Sequence, residues 1–244
     1  LEQLGAGVKL NRRVGAEDLG AFDDVILATG IVPRKPAIPG IDHAKVASYV
    51  EIVEGRKRAG RRVAIVGAGG IGFDVAELLT EDHPADGHAS DGRRDDPAIA
   101  AFCAEWGIDA DLAHRGGVKA AHENPPPRQL WLLQRKTEKV GAGLAKTTGW
   151  IRRTLLKRRG VAMLAGVEYD RIDDAGLHIR IDGKPQLLEV DTIVICAGQE
   201  PRRELVASLE AAGIKPRLIG GADVALELDA KRAIDQGTRV ALAL

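Results

Sequence analysis

The stretch that decides the fold covers residues 61–79 and reads RRVAIVGAGGIGFDVAELL. Its apolar, β-branched first part, residues 63–66, predicts a buried strand, and apolar residues at helical spacing over residues 71–79 predict a helix. Between them, residues 67–72 carry the pattern Gly-x-Gly-x-x-Gly. A strand that runs directly into this pattern and then into a helix is typical of a dinucleotide-binding turn.

Each glycine of this turn has a physical role. Gly67 allows the tight turn, Gly69 lets a pyrophosphate approach the backbone, and Gly72 lets helix and strand pack closely. Gly70 completes the turn, and the free N–H groups and dipole at the helix start then favour phosphates. The alternative is a glycine-rich turn that holds no ligand.

The end of the next strand bears on which dinucleotide is bound. NAD-binding turns are followed, about 20 residues later, by an acid that binds the ribose 2′-hydroxyl. Here that window falls in a long insertion over residues 81–127, and the strand at residues 129–133 ends in Gln134-Arg135-Lys136 without a carboxylate. Two cations suit a 2′-phosphate, which favours NADP(H). The alternative is a pair of solvated surface charges.

Two similar segments indicate a second nucleotide-binding region. Residues 24–34, DVILATGIVPR, and residues 192–201, TIVICAGQEP, each read as a buried strand, a tight turn and a proline. Such paired turns mark the crossing points of one nucleotide domain inserted into another. Near the C-terminus a short strand leads into the turn at residues 220–223 and then a helix, where Asp223 suits either a ribityl hydroxyl or a helix N-cap.

The remaining pattern is that of an α/β protein with parallel sheets. Residues 167–190 differ, because short strands and the turns at residues 173–176 and 182–183 predict a small antiparallel meander. Other elements are predicted as strands at residues 25–28, 130–133 and 192–196, and as helices at residues 97–106, 150–159 and 228–244.

Composition excludes several classes of function. Lys+Arg and Asp+Glu both number 35 among the 244 residues, so neither nucleic acid nor a membrane surface is an expected partner. The two cysteines rule out a disulfide scaffold, a four-thiolate zinc site and a four-cysteine iron–sulfur cluster. Cys103 and the nearby histidines fit no standard metal spacing, and we expect Cys196 to be a buried structural thiol.

The segment GAGLAKTT at residues 141–148 imitates a phosphate-binding P-loop. That motif needs glycine directly before the lysine and again five residues earlier, where this chain has Ala145 and Val140. We therefore expect a mobile loop beside the cofactor cleft. No nucleophile–base arrangement is present, so we expect no catalytic residue in this chain, as in hydride transfer between cofactors.

The chain resembles the C-terminal part of the bacterial NADPH-type 2,4-dienoyl-CoA reductases, within the NADH:flavin oxidoreductase and trimethylamine-dehydrogenase-like group. The resemblance covers nearly the whole chain and is carried by VAIVGAGGIGFDVAELL, LLQRK, GLAKTTGWIRR, IVICAGQEP and LIGGADVALELDAKRAIDQGTR. It implies a longer cytoplasmic enzyme in which NADPH reduces FAD and electrons pass through a 4Fe-4S cluster to FMN in an N-terminal barrel. There, in the β-oxidation of unsaturated fatty acids, the FMN reduces a 2,4-dienoyl-CoA.

Several parts of that pattern are missing from the chain: the barrel, the cluster cysteines and the first glycine fingerprint of the FAD domain. We therefore expect a fragment that starts inside an element at Leu1, with the FAD-type domain incomplete at its N-terminus. The expected fold is two nested dinucleotide-binding, Rossmann-like domains. The FAD-type domain takes residues 1–58 and 198–244, and the NADPH domain takes residues 59–197.

The resemblance also implies site residues. The NADPH contacts are Gly67, Gly69, Gly70 and Gly72 for the pyrophosphate and Arg135 and Lys136 for the 2′-phosphate. The FAD contacts are Ala28 or Thr29 at the first crossing point and Gly221, Asp223, Leu228, Asp229, Ala230 and Lys231 near the last helix. As a further hypothesis, Lys139 and Trp150 hold the nucleotide end of an acyl-CoA substrate by charge and stacking, the alternative being an exposed lysine and a packed tryptophan.

Three functions remain open. The first is the NADPH-to-FAD electron-input module of a dienoyl-CoA reductase. The second is the same module of another flavin-linked NAD(P)H reductase that acts on a different enoate or an amine. The third is a non-catalytic NADP-binding module.

Overall fold

The computed structural model describes residues 2–81, 97–122, 126–226 and 229–244. The strands are β1 (Ile26–Leu27), β2 (Ile31–Pro33), β3 (Val46–Ser48), β4 (Arg62–Val66), β5 (Gln129–Leu133), β6 (Ala162–Leu164), β7 (Val167–Asp173), β8 (Gly176–Ile181), β9 (Lys184–Leu188), β10 (Thr192–Ile195), β11 (Gln199–Pro201) and β12 (Arg217–Leu218). The α-helices are α1 (Tyr49–Val53), α2 (Gly70–Thr80), α3 (Pro97–Trp106), α4 (Gly149–Arg158), α5 (Val206–Ala211) and α6 (Ala230–Leu242).

The chain divides into two compact units. The smaller contains the residues up to Arg34 together with Gln199–Leu244, and the larger is Lys35–Gly198. This division differs from the sequence-based border at residues 58 and 59. Residues 35–58 group with the larger unit because β3 pairs with β10 in its sheet.

The larger unit is built on a parallel sheet with the strand order β3-β10-β4-β5-β6. Strand β4 lies at its centre, and all its residues from Val63 to Val66 are at most 1% exposed. Because Val66 is in register with Leu133, β4 and β5 end together at the carboxyl edge of the sheet. The sheet confirms the predicted α/β class.

One face of this sheet is covered by the antiparallel meander β7-β8-β9. Leu177 and Ile179 on β8 are fully buried and join a cluster with residues of the parallel sheet. The turn between β8 and β9 contains Asp182 and Gly183, both with positive φ (50° and 73°), as a type I′ hairpin turn requires. The predicted meander is therefore confirmed.

Helices cover the other face. Phe73 on α2 and Leu156 on α4 are at most 1% exposed and pack with Val63, Ile65 and Leu132 of the sheet. The amphipathic pattern read from the sequence thus matches the buried sides of both helices.

A long connection leads from the end of α2 to the start of β5. Both points lie at the amino edge of the sheet, because the helix of a βαβ unit runs back to the start of the next strand. The connection contains α3, confirmed at the predicted bounds. The Arg159 guanidinium, which directly follows α4, donates to both carboxylate oxygens of Glu105 on α3, at 2.7 and 3.0 Å.

The smaller unit contains two short strand pairs. β1 and β12 are parallel, with Leu27 opposite Leu218, and β2 and β11 are antiparallel. The strand predicted at residues 25–28 forms over two residues only. Helix α6 starts two residues later than predicted, because the Asp229 carboxylate caps it by accepting from the Arg232 N–H at 2.7 Å.

Candidate functional site

The glycine turn follows the end of β4 at the carboxyl edge of the sheet. Gly67 has a φ of 111°, and a Cβ placed there would lie 2.3 Å from the Cys196 carbonyl oxygen. Its N–H donates to the Leu133 carbonyl at 3.0 Å. Only glycine suits this position, because it needs both a positive φ and close approach to neighbouring backbone.

The other glycines of the turn have two different roles: one allows close packing, and two leave space for a ligand. A Cβ on Gly72 would lie 1.9 Å from the Gly67 carbonyl oxygen, so this glycine lets α2 pack against the turn. A Cβ on Gly69 or Gly70 would meet no atom within 4 Å, and both residues are exposed. No side chain caps the N-terminus of α2 at Gly69. The start of the helix therefore offers N–H groups to an incoming anion, which fits a pyrophosphate.

Arg135 and Lys136 lie next to this turn along the edge of the sheet. The hydrogen bond from Gly67 to Leu133 brings the turn to within two residues of Arg135. Both cations are exposed, and neither makes a salt bridge with any residue in the described ranges. An unpaired pair of cations beside an anion-binding turn suits the additional phosphate of NADP(H).

The side chain of Gln134 shapes the loop that carries these cations. Its amide donates to the carbonyl oxygens of Lys136 and Glu138, at 3.1 and 2.8 Å, and its oxygen accepts from the Gly141 N–H at 3.4 Å. Sequence analysis did not assign this role. A glutamine directly after a buried strand and before a charged loop was the only available signal.

Lys139 and Trp150 border one cavity of about 650 Å³, together with residues of α4 and the edge strand β6. Trp150 is 55% exposed, which leaves much of its surface open beside the cavity. Lys139 is exposed, as either hypothesis expects. The structure thus brings the two predicted residues to one cavity.

The segment at residues 141–148 forms turns that lead into α4, eight residues after β5 has ended. Gly141 has a φ of 75°, and a Cβ there would lie 2.6 Å from the Phe73 ring. Arg153 donates to the Gly141 carbonyl at 2.8 Å. A P-loop instead follows its strand directly, so this arrangement agrees with its exclusion.

The first predicted crossing point lies in the smaller unit. Ala28 and Thr29 are exposed, and the Thr29 hydroxyl donates to the Arg202 carbonyl at 2.6 Å. Gly30 follows with a φ of 78°. The Thr29 hydroxyl therefore stabilises the turn, and the exposed Ala28 is accessible to a ligand.

The second candidate flavin region is the turn Gly220–Ala222. A Cβ on Gly221 would lie 2.7 Å from the Ile31 side chain, so this glycine serves close packing on β2. One carboxylate oxygen of Asp223 accepts from the Gln236 amide at 2.7 Å. Asp223 is not the N-cap of α6, since Asp229 fills that position. Its second oxygen makes no hydrogen bond within the described ranges, and this fits an acceptor for a ribityl hydroxyl.

Side chains on α6 and near β11 hold this turn. The Gln236 oxygen accepts from the Gly220 N–H at 2.7 Å, and Arg203 donates to the Ala222 carbonyl at the same distance. Sequence analysis assigned neither residue. Of the predicted contacts at the start of α6, Asp229 is the N-cap, and Ala230 and Lys231 are exposed in its first turn. Leu228 lies outside the described residues.

The two cysteines, Cys103 and Cys196, form no disulfide bond. Both are free thiols, and Cys196 is buried after β10, where desolvation, assisted by the charge of Asp74, raises its pKa to about 12. A thiol with this pKa stays protonated, which agrees with the predicted structural role. Within the described ranges, no three His, Cys, Asp or Glu side chains are grouped as metal ligands. No helix found there has the length and apolarity needed to cross a membrane.

Two reductases of known name are similar to this chain in sequence. A metal reductase of Desulforamulus reducens is 24% identical over 90% of the chain and 31% of that protein. A cinnamate reductase of Clostridium sporogenes is 39% identical over 33% of the chain and 12% of that protein. The chain thus spans a third or less of the length of these relatives.

Solved structures share the fold. A 2-naphthoyl-CoA reductase in complex with 2-naphthoyl-CoA matches all of this chain and 30% of its own, with a TM-score of 0.72 and 20% identity. Histamine dehydrogenase from Rhizobium sp. 4-9 matches 96% of this chain and 32% of its own, with a TM-score of 0.65 and 17% identity.

A family model described as pyridine nucleotide-disulphide oxidoreductase matches residues 5–229, well over half of the chain. The match includes the glycine turn, both cations after β5 and the turn at Gly220–Ala222. The chain therefore belongs to the pyridine nucleotide-disulphide oxidoreductase family.

Proposed function

We propose that this chain is the electron-input module of a flavin oxidoreductase, in which NADPH supplies a hydride and FAD accepts it. In the proposed whole protein, the electrons serve the reduction of a 2,4-dienoyl-CoA at FMN in an N-terminal barrel, by way of a 4Fe-4S cluster. The chain's own residues bind and orient the two nucleotides, and none acts as an acid, base or nucleophile.

One observation carries the proposal: an open glycine turn lies directly beside two cations that form no ion pair with the described part of the chain. Gly69 and Gly70 leave free space at the start of α2, where N–H groups meet a pyrophosphate. Arg135 and Lys136 follow the neighbouring strand and are available to a 2′-phosphate. This combination favours NADPH over NADH, because NADH has no group to neutralise those two charges.

The flavin contacts are assigned to the smaller unit. Asp223, held on one side by Gln236, offers its other carboxylate oxygen to a ribityl hydroxyl. Ala28 and the first turn of α6, from Asp229 to Lys231, supply the remaining exposed contacts. These positions come from the resemblance, and their exposure supports them.

The substrate class rests on the resemblance to dienoyl-CoA reductases and on the shared fold with a 2-naphthoyl-CoA reductase. The 39% identity to a cinnamate reductase favours a second candidate, the same module serving another enoate. The shared fold with histamine dehydrogenase keeps an amine substrate in the same group of alternatives.

The test is a titration of the purified protein with NADPH and with NADH while the flavin absorption is recorded. We expect bound FAD to be bleached by NADPH, at lower concentration than by NADH. Bound FAD that NADPH does not bleach would contradict the electron-input function, and NADPH binding without flavin would leave a nucleotide-binding module.

Variants test the two cations. Replacement of both Arg135 and Lys136 by alanine should weaken the binding of NADPH by about 1–3 kcal/mol per lost charged hydrogen bond. The binding of NADH should stay nearly unchanged. The matched control is Lys184→Ala with Lys215→Ala, which removes two exposed positive charges elsewhere. Equal affinity of the parent protein for NADH and NADPH would contradict the assigned role.

A further inference from the structure

We propose that the groove between α4 and the edge strand β6 is a second nucleotide site, which binds adenosine carrying a phosphate on its ribose. The cavity measures about 650 Å³, within the usual range of small-molecule pockets. This inference deepens the proposed function, because it identifies which part of an acyl-CoA the module would hold.

Charge is the first support for the site. Lys139, Arg153 and Lys157 line the groove, and none of the described carboxylates does. Two other cations of the same helix region are neutralised: Arg152 pairs with Asp74, and Arg159 pairs with Glu105. Arg158, which points elsewhere, lies over the Trp106 ring at 5.1 Å.

The groove cations differ from these neighbours. Lys139 and Lys157 make no ion pair within the described ranges, and the hydrogen bond recorded for the Arg153 side chain goes to a backbone carbonyl. Three cations without a carboxylate beside an apolar wall focus positive potential and attract a polyanion.

The apolar part of the groove is the second support. Val161 and Met163 form its wall on the β6 side, and Trp150, which is 55% exposed, also lines the groove. A tryptophan usually buries its large apolar surface, so one left open beside cations is suited to stack on a base. Stacking and phosphate contacts together specify a nucleotide rather than an inorganic anion.

The groove is separate from the glycine turn. β6 is the edge strand and lies two strands from β4, about 10 Å away across the sheet. The wall from Val161 to Ala165 extends about 13 Å along that strand. A pyrophosphate at Gly69 therefore leaves most of the groove open to a second group.

Two common cofactors carry the required chemistry. Coenzyme A has a 3′-phosphorylated adenosine, and NADP has a 2′-phosphorylated one. The probes are therefore adenosine 3′,5′-bisphosphate and adenosine 2′,5′-bisphosphate, which have equal charge and the same base. Binding of each to the full chain is measured by calorimetry and by quenching of tryptophan fluorescence.

The main variant replaces both Lys139 and Lys157 with alanine, and a second variant is Trp150→Leu. Both lysines are exposed, and the change in thermal unfolding is measured to confirm that the variants fold. We expect the double variant to bind the 3′,5′ isomer at least tenfold more weakly, which corresponds to about 1.4 kcal/mol. Trp150→Leu should remove the quenching, and the control Lys184→Ala with Lys215→Ala should stay within about twofold of the parent.

The two isomers identify the source of the nucleotide. Binding of the 3′,5′ isomer is expected to require Lys139 and Lys157, and binding of the 2′,5′ isomer to require Arg135 and Lys136. In that case the groove binds coenzyme A. If binding of the 2′,5′ isomer instead requires the groove lysines, the groove belongs to the dinucleotide and the second site is refuted.

The site is refuted if neither isomer binds, or if both bind the double variant as tightly as the parent. These measurements involve no flavin and no hydride transfer. If no nucleotide binds in the groove, the proposed reduction of FAD by NADPH is not affected. If NADPH does not reduce FAD, the binding result for the groove still stands.

Discussion

Replacement of Gly72 by alanine tests whether this glycine serves packing rather than ligand access. The new Cβ would lie 1.9 Å from the Gly67 carbonyl oxygen, a backbone atom that also belongs to the cofactor turn. Relief requires α2 or the turn to move by more than 1 Å, roughly the difference from an ordinary carbon–oxygen contact. Overpacking of this kind costs about 3 kcal/mol at the upper end of its usual range.

Part of that cost is offset, because alanine favours the helix over glycine by about 1 kcal/mol. The net loss in the free energy of unfolding is therefore about 2 kcal/mol. At about 2–4 °C per kcal/mol for a chain of this size, the Tm should fall by about 4–8 °C. Guanidinium and thermal unfolding followed by far-UV circular dichroism measure both quantities.

Gly70→Ala is the matched control, two residues away on the same helix. Its Cβ meets no atom within 4 Å, so we expect the variant to be as stable as the parent or up to about 1 kcal/mol more stable. It should nevertheless bind NADPH more weakly, because the methyl group enters the space assigned to the pyrophosphate. Equal unfolding free energies for the two variants would refute the reasoning.

Two further predictions concern the connection between α2 and β5. Arg159→Ala should lower the free energy of unfolding by about 2–4 kcal/mol in a guanidinium titration, because it leaves the half-buried Glu105 carboxylate without its bidentate partner; a loss below about 0.5 kcal/mol would show that α3 is held by other contacts. His114 lowers the pKa of Asp109 by a hydrogen bond from its ring and another from its backbone N–H. Asp109 therefore stabilises the folded state above its unfolded pKa of about 3.9, and this contribution is lost as the pH falls through the lower folded value. Unfolding titrations across pH should show Asp109→Asn less stable than the parent at neutral pH, with a difference that shrinks below about pH 4; a constant difference would contradict the assignment.

The central elements were predictable because burial and turn chemistry leave strong local signals. β4 and α2 follow from one continuous pattern, and the Asp182–Gly183 turn follows from a residue pair that accepts positive φ. These features need only short-range information. The parallel sheet and the meander were therefore predicted in type and close to their observed bounds.

The shorter elements were missed for an equally physical reason. β3 and β6 contain three residues each, too few for alternation to be distinguished from a loop. They exist because neighbouring strands supply hydrogen-bond partners from distant parts of the sequence. α1 was also missed, although Ser48 and Glu51 form a capping box that was legible in the sequence.

In the candidate site, too, interactions between residues distant in the sequence were not predicted. The glycines and the Arg135–Lys136 pair were found because their residue types match a known chemistry at fixed spacing. Gln134 and Gln236 were not, because each acts through hydrogen bonds whose partners become neighbours only after folding. Residue types alone also left the role of Asp223 open between a cap and a ligand contact, and the position of Asp229 in the structure removed the first option.

The long connection between α2 and β5 has a consequence for engineering. It leaves the sheet at its amino edge, whereas Gly67 and Arg135 lie at the carboxyl edge, a full strand length away. Added length in a connection between two elements costs little in closure entropy, about 0.6 kcal/mol for each doubling. A reporter domain, an affinity tag or a light-responsive domain could therefore be grafted into this connection while the nucleotide-facing edge keeps its geometry.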